Sequence, residues 1–256
     1  MPKDQKHFVE THHNKMIAGQ RLFYRTAGVG SPLVLLHGYG VSSYLWQRTL
    51  PYLAREHQLF LVDLPGYGRS RLSKPAWRLR EIAPLLVHWL REMQLPPVAL
   101  LGQSMGGAIA LHLAATAPEL VQRLVLAGSA GIPLHADLPA LVVRSARSIF
   151  QPRSGGYPLQ MLLDTLTPRP RILWQCTQEM IGSDFRPEIA VITHPTLIIW
   201  GKRDLLLPIQ LGHVLHQALP HAAFVELPRS GHRPMLTEPA AFSRLVLDFL
   251  KLTEHQ

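Results

Sequence analysis

The chain contains 256 residues with a mass of 28.7 kDa, the size of one large domain or two small ones. Hydrophobic residues make up 47% of the chain and charged residues 17%, so disorder and a coiled coil are disfavoured. The net charge is +9, but the basic residues form no block and do not alternate with aromatic residues, so we expect no nucleic-acid partner.

The compartment can be predicted from the cysteine content and from the lack of long apolar segments. The single cysteine, Cys176, allows no internal disulfide and no cysteine-based zinc site. Residues 1–16 lack the apolar centre of a signal peptide, and no later segment approaches about 18 uninterrupted apolar residues. We therefore expect a cytoplasmic protein without stable membrane insertion.

Short apolar segments alternate with longer amphipathic segments along the chain. This alternation predicts the α/β class, with a mostly parallel sheet covered by helices on both faces. The predicted strands are 22–25, 33–36, 59–62, 98–101, 124–126, 197–200 and 224–227. The predicted helices are 43–53, 80–95, 105–116, 208–219 and 239–252.

Residues 131–192 interrupt this alternation. Proline and glycine residues separate amphipathic pieces at 138–150 and 159–166 in this segment. The segment is too long for a simple crossover between two strands, so we expect a small helical cap. The predicted organisation is therefore one core domain, residues 1–130 and 193–256, with a cap inserted at 131–192.

A serine lies at a sharp turn between a predicted strand and a predicted helix. The strand 98–101 leads into Gly102-Gln103-Ser104-Met105-Gly106, and the helix follows at once. Such a turn is strained and requires small neighbours two residues on either side of the serine. It raises the hydroxyl above the sheet edge, and the helix directs its N-terminal N–H groups toward developing negative charge. Ser104 is therefore a candidate nucleophile.

A serine nucleophile needs a base, and the base needs an acid that orients it. Asp204 follows the predicted strand 197–200, and His232 follows the predicted strand 224–227. Both residues lie just past the carboxyl end of a strand, where open α/β sheets build their sites and where Ser104 also lies. The order along the chain is Ser, Asp, His.

With these features in order, the sequence resembles the α/β-hydrolase superfamily over essentially the whole chain outside the predicted cap. Residues 37–40, His-Gly-Tyr-Gly, are similar to the HGxG turn after the family's third strand. Residues 63–70, Asp-Leu-Pro-Gly-Tyr-Gly-Arg-Ser, are similar to its DxxGxGxS turn after the fourth strand. The resemblance implies the α/β-hydrolase fold, with the cap inserted after the sixth strand.

The resemblance also implies roles for individual residues. Ser104 corresponds to the nucleophile, His232 to the general base and acid, and Asp204 to the residue that fixes the imidazole tautomer. The backbone N–H groups of Tyr39 and Met105 correspond to the oxyanion hole. No cofactor and no metal ion are required for this chemistry.

Other histidines and carboxylates have structural explanations. His37 is expected to hold the oxyanion turn by hydrogen bonds, and Asp63 to organise its own turn. His213 and His216 lie one helical turn apart without a third ligand, so we predict no metal site there, and His12 and His13 are expected to flank an edge strand.

A substrate pocket is expected beside Ser104. Its predicted walls are Trp46, Trp174 and Met235, together with Met105 and part of the apolar stripe of the cap. The stripe comprises residues 138, 141, 142, 149, 150, 161–163 and 166.

The expected activity is hydrolysis of small to medium hydrophobic carboxylic esters through an acyl-enzyme on Ser104. Three alternatives stay open: a carbon-carbon bond hydrolase of the meta-cleavage type, a cofactor-free perhydrolase, and a ligand receptor that retains the triad with little turnover. Enzymes of the meta-cleavage type often carry Asn before the serine and Trp after the histidine, where this chain has Gln103 and Arg233. Docking of the basic cap on an anionic membrane is a further alternative.

Overall fold

A computed structural model of the chain describes residues 9–70, 72, 77–134, 143–144, 147, 174, 176–179, 182 and 184–252. Within them, eight strands form one sheet in the order β1-β2-β4-β3-β5-β6-β7-β8. Strand β2 runs antiparallel to both of its neighbours, and β3 to β8 are parallel to one another. The strands are β1 Thr11–Ile17, β2 Gln20–Ala27, β3 Ser31–Leu36, β4 His57–Asp63, β5 Val98–Gln103, β6 Val121–Ala127, β7 Thr196–Gly201 and β8 Ala223–Leu227.

The described helices cover both faces of this sheet. They are α1 Leu50–Leu53, α2 Leu79–Glu92, α3 Met105–Thr116, α4 Arg186–Ile189, α5 Ile209–Ala218, α6 Pro234–Thr237 and α7 Pro239–Lys251, with 3-10 helices at Ser43–Trp46 and Pro118–Leu120. The helix predicted at 43–53 is divided into Ser43–Trp46 and α1. Pro51 lies at the start of α1 and has no N–H with which to continue a helix from the residues before it.

The central strands are buried on both faces, as their continuous apolar sequences predict. All six residues of β5 and all six of β7 are buried. In β3, Val34 and Leu36 pack in the core cluster that contains α2 and α3, whereas Leu33 and Leu35 pack in the cluster that contains α1 and α7. The sheet thus has a separate core on each face. A functional site is expected at the rim formed by the carboxyl ends of the parallel strands.

The edge strand β1, Thr11–Ile17, is not among the predicted strands. His12 and His13 lie inside it and pair with Arg25 and Tyr24 of β2, so the prediction that they flank an edge strand is wrong. Its sequence, THHNKMI, contains few apolar residues because most of its residues are at least partly exposed. The sequence of such an exposed edge strand contains no continuous apolar run that would indicate it.

The described part of the predicted cap consists mainly of its two ends. At the second end, α4 returns the chain to the sheet, and Glu188 accepts a hydrogen bond of 2.7 Å from Nε of Arg80 in α2. The apolar stripe of the cap lies outside the described residues, and the cap boundaries stay a prediction. None of the helices in the described part of the chain is both long and apolar enough to cross a membrane.

Candidate active site

Ser104 stands between β5 and α3 in a backbone conformation that few residues adopt. Its φ is +53° and its ψ is −118°, and a non-glycine residue in this region is strained. Its N–H donates to the carbonyl of Ala127 at 3.1 Å, and its carbonyl accepts from the N–H groups of Gly107 at 2.9 Å and Ala130 at 3.0 Å. These backbone hydrogen bonds hold the strained serine at the rim of the sheet.

The glycines on either side of Ser104 are required by close packing. A Cβ atom on Gly102 would overlap the carbonyl oxygen of Gly106. A Cβ atom on Gly106 would in turn overlap the carbonyl oxygens of Leu36 and His37. Because these obstacles are backbone atoms, they cannot move aside, and the prediction of small neighbours at this turn is confirmed.

Asp204 and His232 form a buried hydrogen-bonded pair. His232 Nδ1 lies 2.8 Å from Asp204 Oδ2, and the side chains are 3% and 0% exposed. Oδ1 of Asp204 accepts hydrogen bonds from the N–H groups of Leu206 at 2.9 Å and Leu207 at 2.8 Å. These two amides fix the carboxylate, so that Oδ2 faces the imidazole and accepts its Nδ1 proton.

The other ring nitrogen of His232 contacts Gln103, a residue that the sequence analysis did not assign to the site. Nε2 of Gln103 lies 3.1 Å from Nε2 of His232 and 3.2 Å from its carbonyl oxygen. Among the described residues, no hydrogen bond joins Ser104 to His232. The structure therefore brings Asp204, His232 and Gln103 into contact, and Ser104 follows Gln103 directly. Hydrogen bonds between nucleophile and base often tighten only when substrate binds.

His37 uses both ring nitrogens to hold the turn after β3. Nε2 accepts a hydrogen bond of 2.9 Å from the Leu64 N–H. Because Nε2 is an acceptor, Nδ1 carries the proton and donates to the carbonyl of Gly38 at 2.8 Å. The expectation that His37 holds this turn by hydrogen bonds is confirmed.

Asp63 organises the turn after β4, as expected. The buried carboxylate accepts hydrogen bonds from the N–H of Ser43 at 2.8 Å and the N–H of Arg69 at 2.9 Å. Nε of Arg69 donates to the same carboxylate at 3.2 Å. A Cβ atom on Gly68 would overlap Oδ2 of Asp63, so this turn too is closed around a carboxylate.

The two residues assigned to the oxyanion hole are contacted from the predicted cap and from the turn after β4, respectively. Oγ1 of Thr177 donates to the hydroxyl of Tyr39 at 3.1 Å. The hydroxyl of Tyr67 contacts Sδ of Met105 at 3.8 Å. Burial, reinforced by the neighbouring Cys176 thiol, raises the pKa of Tyr67 well above its usual value, and burial also raises the pKa of Cys176. Both groups are therefore neutral near pH 7.

The residues predicted to line a pocket lie in different environments. Trp46 and Met235 are fully buried in the core cluster that contains α1 and α7, where Trp46 packs against Phe242 with ring centroids 6.4 Å apart. Trp174, in contrast, is 55% exposed. Their assignment to a substrate pocket stays a prediction.

The histidine pair on α5 has local partners. Nε2 of His213 lies 3.4 Å from a carboxylate oxygen of Glu226, and the His216 ring stacks on Phe224 with centroids 5.3 Å apart. His216 also has a hydrogen bond of 2.9 Å to the carbonyl of Ala222.

Comparison with known proteins identifies related sequences. The model of the family described as "alpha/beta hydrolase fold" matches residues 31–158. The pimeloyl-[acyl-carrier protein] methyl ester esterase of Yersinia enterocolitica is 31% identical over 90% of this chain and 97% of its own. The enzyme of the same name from Vibrio vulnificus is 29% identical over 89% of this chain and 97% of its own.

Solved structures share the architecture. A serine hydrolase involved in carbazole degradation superimposes with a TM-score of 0.83, covers 95% of this chain and 100% of its own, and is 24% identical. At this identity the likeness concerns the fold alone.

Proposed function

The chain belongs to the α/β-hydrolase family, and from this premise we propose that it is a carboxylesterase in which Ser104, His232 and Asp204 form a catalytic triad. Ester hydrolysis is the activity for which its relatives are named. The observation that carries the triad is the hydrogen bond of 2.8 Å between His232 Nδ1 and Asp204 Oδ2, at the rim where the strained Ser104 follows β5.

The reaction would proceed in two halves. His232 Nε2 takes the hydroxyl proton as Ser104 Oγ attacks the ester carbonyl, and the tetrahedral intermediate then expels the alcohol, which receives that proton. A water molecule, deprotonated by the same nitrogen, then attacks the acyl-enzyme, and the bond to Ser104 Oγ breaks as Oγ takes that proton back, which releases the acid and restores the enzyme. Asp204 stabilises the imidazolium that exists between these proton transfers.

Negative charge on the carbonyl oxygen would be stabilised by the N–H groups of Tyr39 and Met105. Met105 is the first residue of α3, so its N–H points out of the helix at the positive end of the helix dipole. Tyr39 lies in the turn that His37 holds. Each such donor is worth about 3 kcal/mol of transition-state stabilisation.

Within the class of small to medium hydrophobic esters, we propose the methyl ester of an acyl chain carried by an acyl carrier protein as the first substrate to test. The support is the name shared by the relatives, which match about nine-tenths of this chain. The meta-cleavage, perhydrolase and receptor alternatives have weaker support. In particular, Gln103 and Arg233 differ from the Asn and Trp of the meta-cleavage pattern.

A substrate panel tests this proposal. The purified protein is given p-nitrophenyl esters of increasing acyl length, methyl pimeloyl-carrier protein, free monomethyl pimelate, a meta-cleavage dienoate, and acetate with peroxide. We expect steady turnover of the esters and a higher kcat/KM for the carrier-bound methyl ester than for the free one. Equal rates on the two methyl esters would remove the carrier from the proposal. A burst without steady turnover would favour the receptor, and preferential cleavage of the dienoate would favour the carbon-carbon hydrolase.

A further inference from the structure

Gln103 lies between the two halves of the candidate site. It is the last residue of β5 and is 1% exposed. On one side its amide nitrogen contacts His232, and on the other its Oε1 lies against Gly38, so closely that a Cβ atom at position 38 would overlap it. Gln103 thus contacts both the turn at residues 37–40, which carries Tyr39, and the loop after β8, which carries His232.

The contacts of Gln103 determine which way its amide faces. A backbone carbonyl oxygen only accepts hydrogen bonds, so the group 3.2 Å from the carbonyl of His232 must be the amide NH₂. The same NH₂ group lies 3.1 Å from Nε2 of His232, which must then be the unprotonated nitrogen. The ring proton is therefore on Nδ1, facing Asp204. This is the tautomer that a general base requires.

We propose that Gln103 is a positioning residue that selects, together with Asp204, the tautomer and ring orientation of His232 needed for proton abstraction. This inference rests on the proposed role of His232. The amide can donate to Nε2 only while that nitrogen is unprotonated, so the contact selects the tautomer with the proton on Nδ1. It must break when Nε2 accepts the proton of Ser104. Asp204, a charged group in contact with the imidazole, acts from the opposite side of the ring.

Two substitutions separate this role from simple packing. Gln103→Glu keeps the shape of the side chain but replaces the amide donor by a carboxylate. The carboxylate accepts a hydrogen bond from a protonated Nε2 and is repelled by the lone pair of an unprotonated Nε2. Gln103→Met keeps the approximate length and has no donor. Gln122→Glu, at an exposed position of β6, is the control for the change in charge.

We expect Gln103→Glu to lower kcat on p-nitrophenyl butyrate about 10²-fold at pH 7, with KM within about threefold, and activity to recover as the pH rises. Gln103→Met should lower kcat by about tenfold, because the ring orientation is less well fixed, without this pH dependence. Gln122→Glu should behave as the wild type. The inference is wrong if Gln103→Glu keeps the wild-type kcat and pH profile. It is equally wrong if both Gln103 variants lose the same activity at every pH.

Nitrogen-15 NMR of the wild-type protein, labelled at its histidines, gives a readout that depends neither on activity nor on the folding of the Gln103 variants. His232, assigned by comparison with His232→Gln, should show a protonated Nδ1 and an unprotonated Nε2 when the ring is neutral. A protonated Nε2 on the neutral ring would overturn the inference. Failure of the proposed function is distinguished by Ser104→Ala: if that variant remains active, the triad itself is wrong, whereas an inactive Ser104→Ala with a normal Gln103→Glu removes only the role of Gln103.

Discussion

The two sides of the candidate site are held in place by different means. The serine turn is fixed by backbone atoms, through the positive φ of Ser104 and the close contacts of Gly102 and Gly106. The histidine side is fixed by side-chain hydrogen bonds, from Asp204 on one ring nitrogen and Gln103 on the other. The serine turn is sensitive to added atoms, and the histidine side is sensitive to a changed hydrogen-bond donor or acceptor. Substitutions on the two sides should therefore have different effects on stability and on kcat.

Removing the nucleophile should have the largest effect. Ser104→Ala leaves the turn without the attacking oxygen, and we expect kcat on p-nitrophenyl butyrate to fall by at least about 10⁴-fold. The melting temperature should change little, because the hydroxyl makes no hydrogen bond among the described residues. Ser31→Ala, at an exposed position of β3, is the matched control. Substantial residual turnover would mean that another group performs the attack.

The second largest effect should come from the histidine side, when one atom of Asp204 is changed. In Asp204→Asn the Oδ1 atom can still accept from Leu206 and Leu207, but an NH₂ group then faces His232 Nδ1 and forces the proton onto Nε2. We expect kcat to fall by about 10³ to 10⁴-fold with little change in KM or in the free energy of unfolding. Rates are measured under steady state with the same ester. A loss confined to KM would contradict this role.

A methyl group added to the serine turn should act on stability. Gly106→Ala introduces a Cβ atom against the carbonyl oxygens of Leu36 and His37, so we expect the free energy of unfolding to fall by roughly 3 kcal/mol. Urea denaturation measures this loss. The control is Gly182→Ala, where a Cβ atom meets nothing within 4 Å. Equal stability of the two variants would show that the turn can relax.

The smallest expected effect concerns the link between the predicted cap and the oxyanion turn. Thr177→Val removes the hydrogen bond to the Tyr39 hydroxyl while keeping the side-chain shape, so we expect a loss of about 1 kcal/mol in unfolding free energy or less. We expect kcat to fall by no more than about tenfold, because this hydrogen bond contacts the turn only through the Tyr39 side chain. Tyr39→Phe removes the same bond from the other side and should match it. A larger loss of kcat in either variant would mean that the hydroxyl removed in that variant takes a direct part in the reaction.

The parts of this molecule that follow from local sequence could be predicted, and those that depend on contacts between distant segments could not. The central strands are continuous apolar runs, and α3 begins and ends at the predicted residues. Strand β1 escaped prediction because an exposed edge strand needs few apolar residues. The helix at 43–53 was predicted as one element because apolar periodicity does not weigh the proline within it.

The same distinction applies to the candidate site. Ser104, Asp204 and His232 each follow a strand that the sequence reveals, so their position at one rim of the sheet could be predicted. Gln103 carries no such signal, since a glutamine before a serine indicates nothing by itself. Its contact with His232 depends on how the loop after β8 packs against the end of β5, and no local sequence pattern describes that packing. The pocket residues are a similar case, since their surroundings depend on how the cap packs.

The overlap between Gly38 and the Gln103 side chain links the choice of amino acid at these two positions. A side chain at position 38 would displace the amide of Gln103 unless position 103 were shortened as well, and either change would alter the contact of residue 103 with the imidazole. In directed evolution, a library that randomises the two codons together would therefore reach pairs of side chains that a library of either codon alone does not contain.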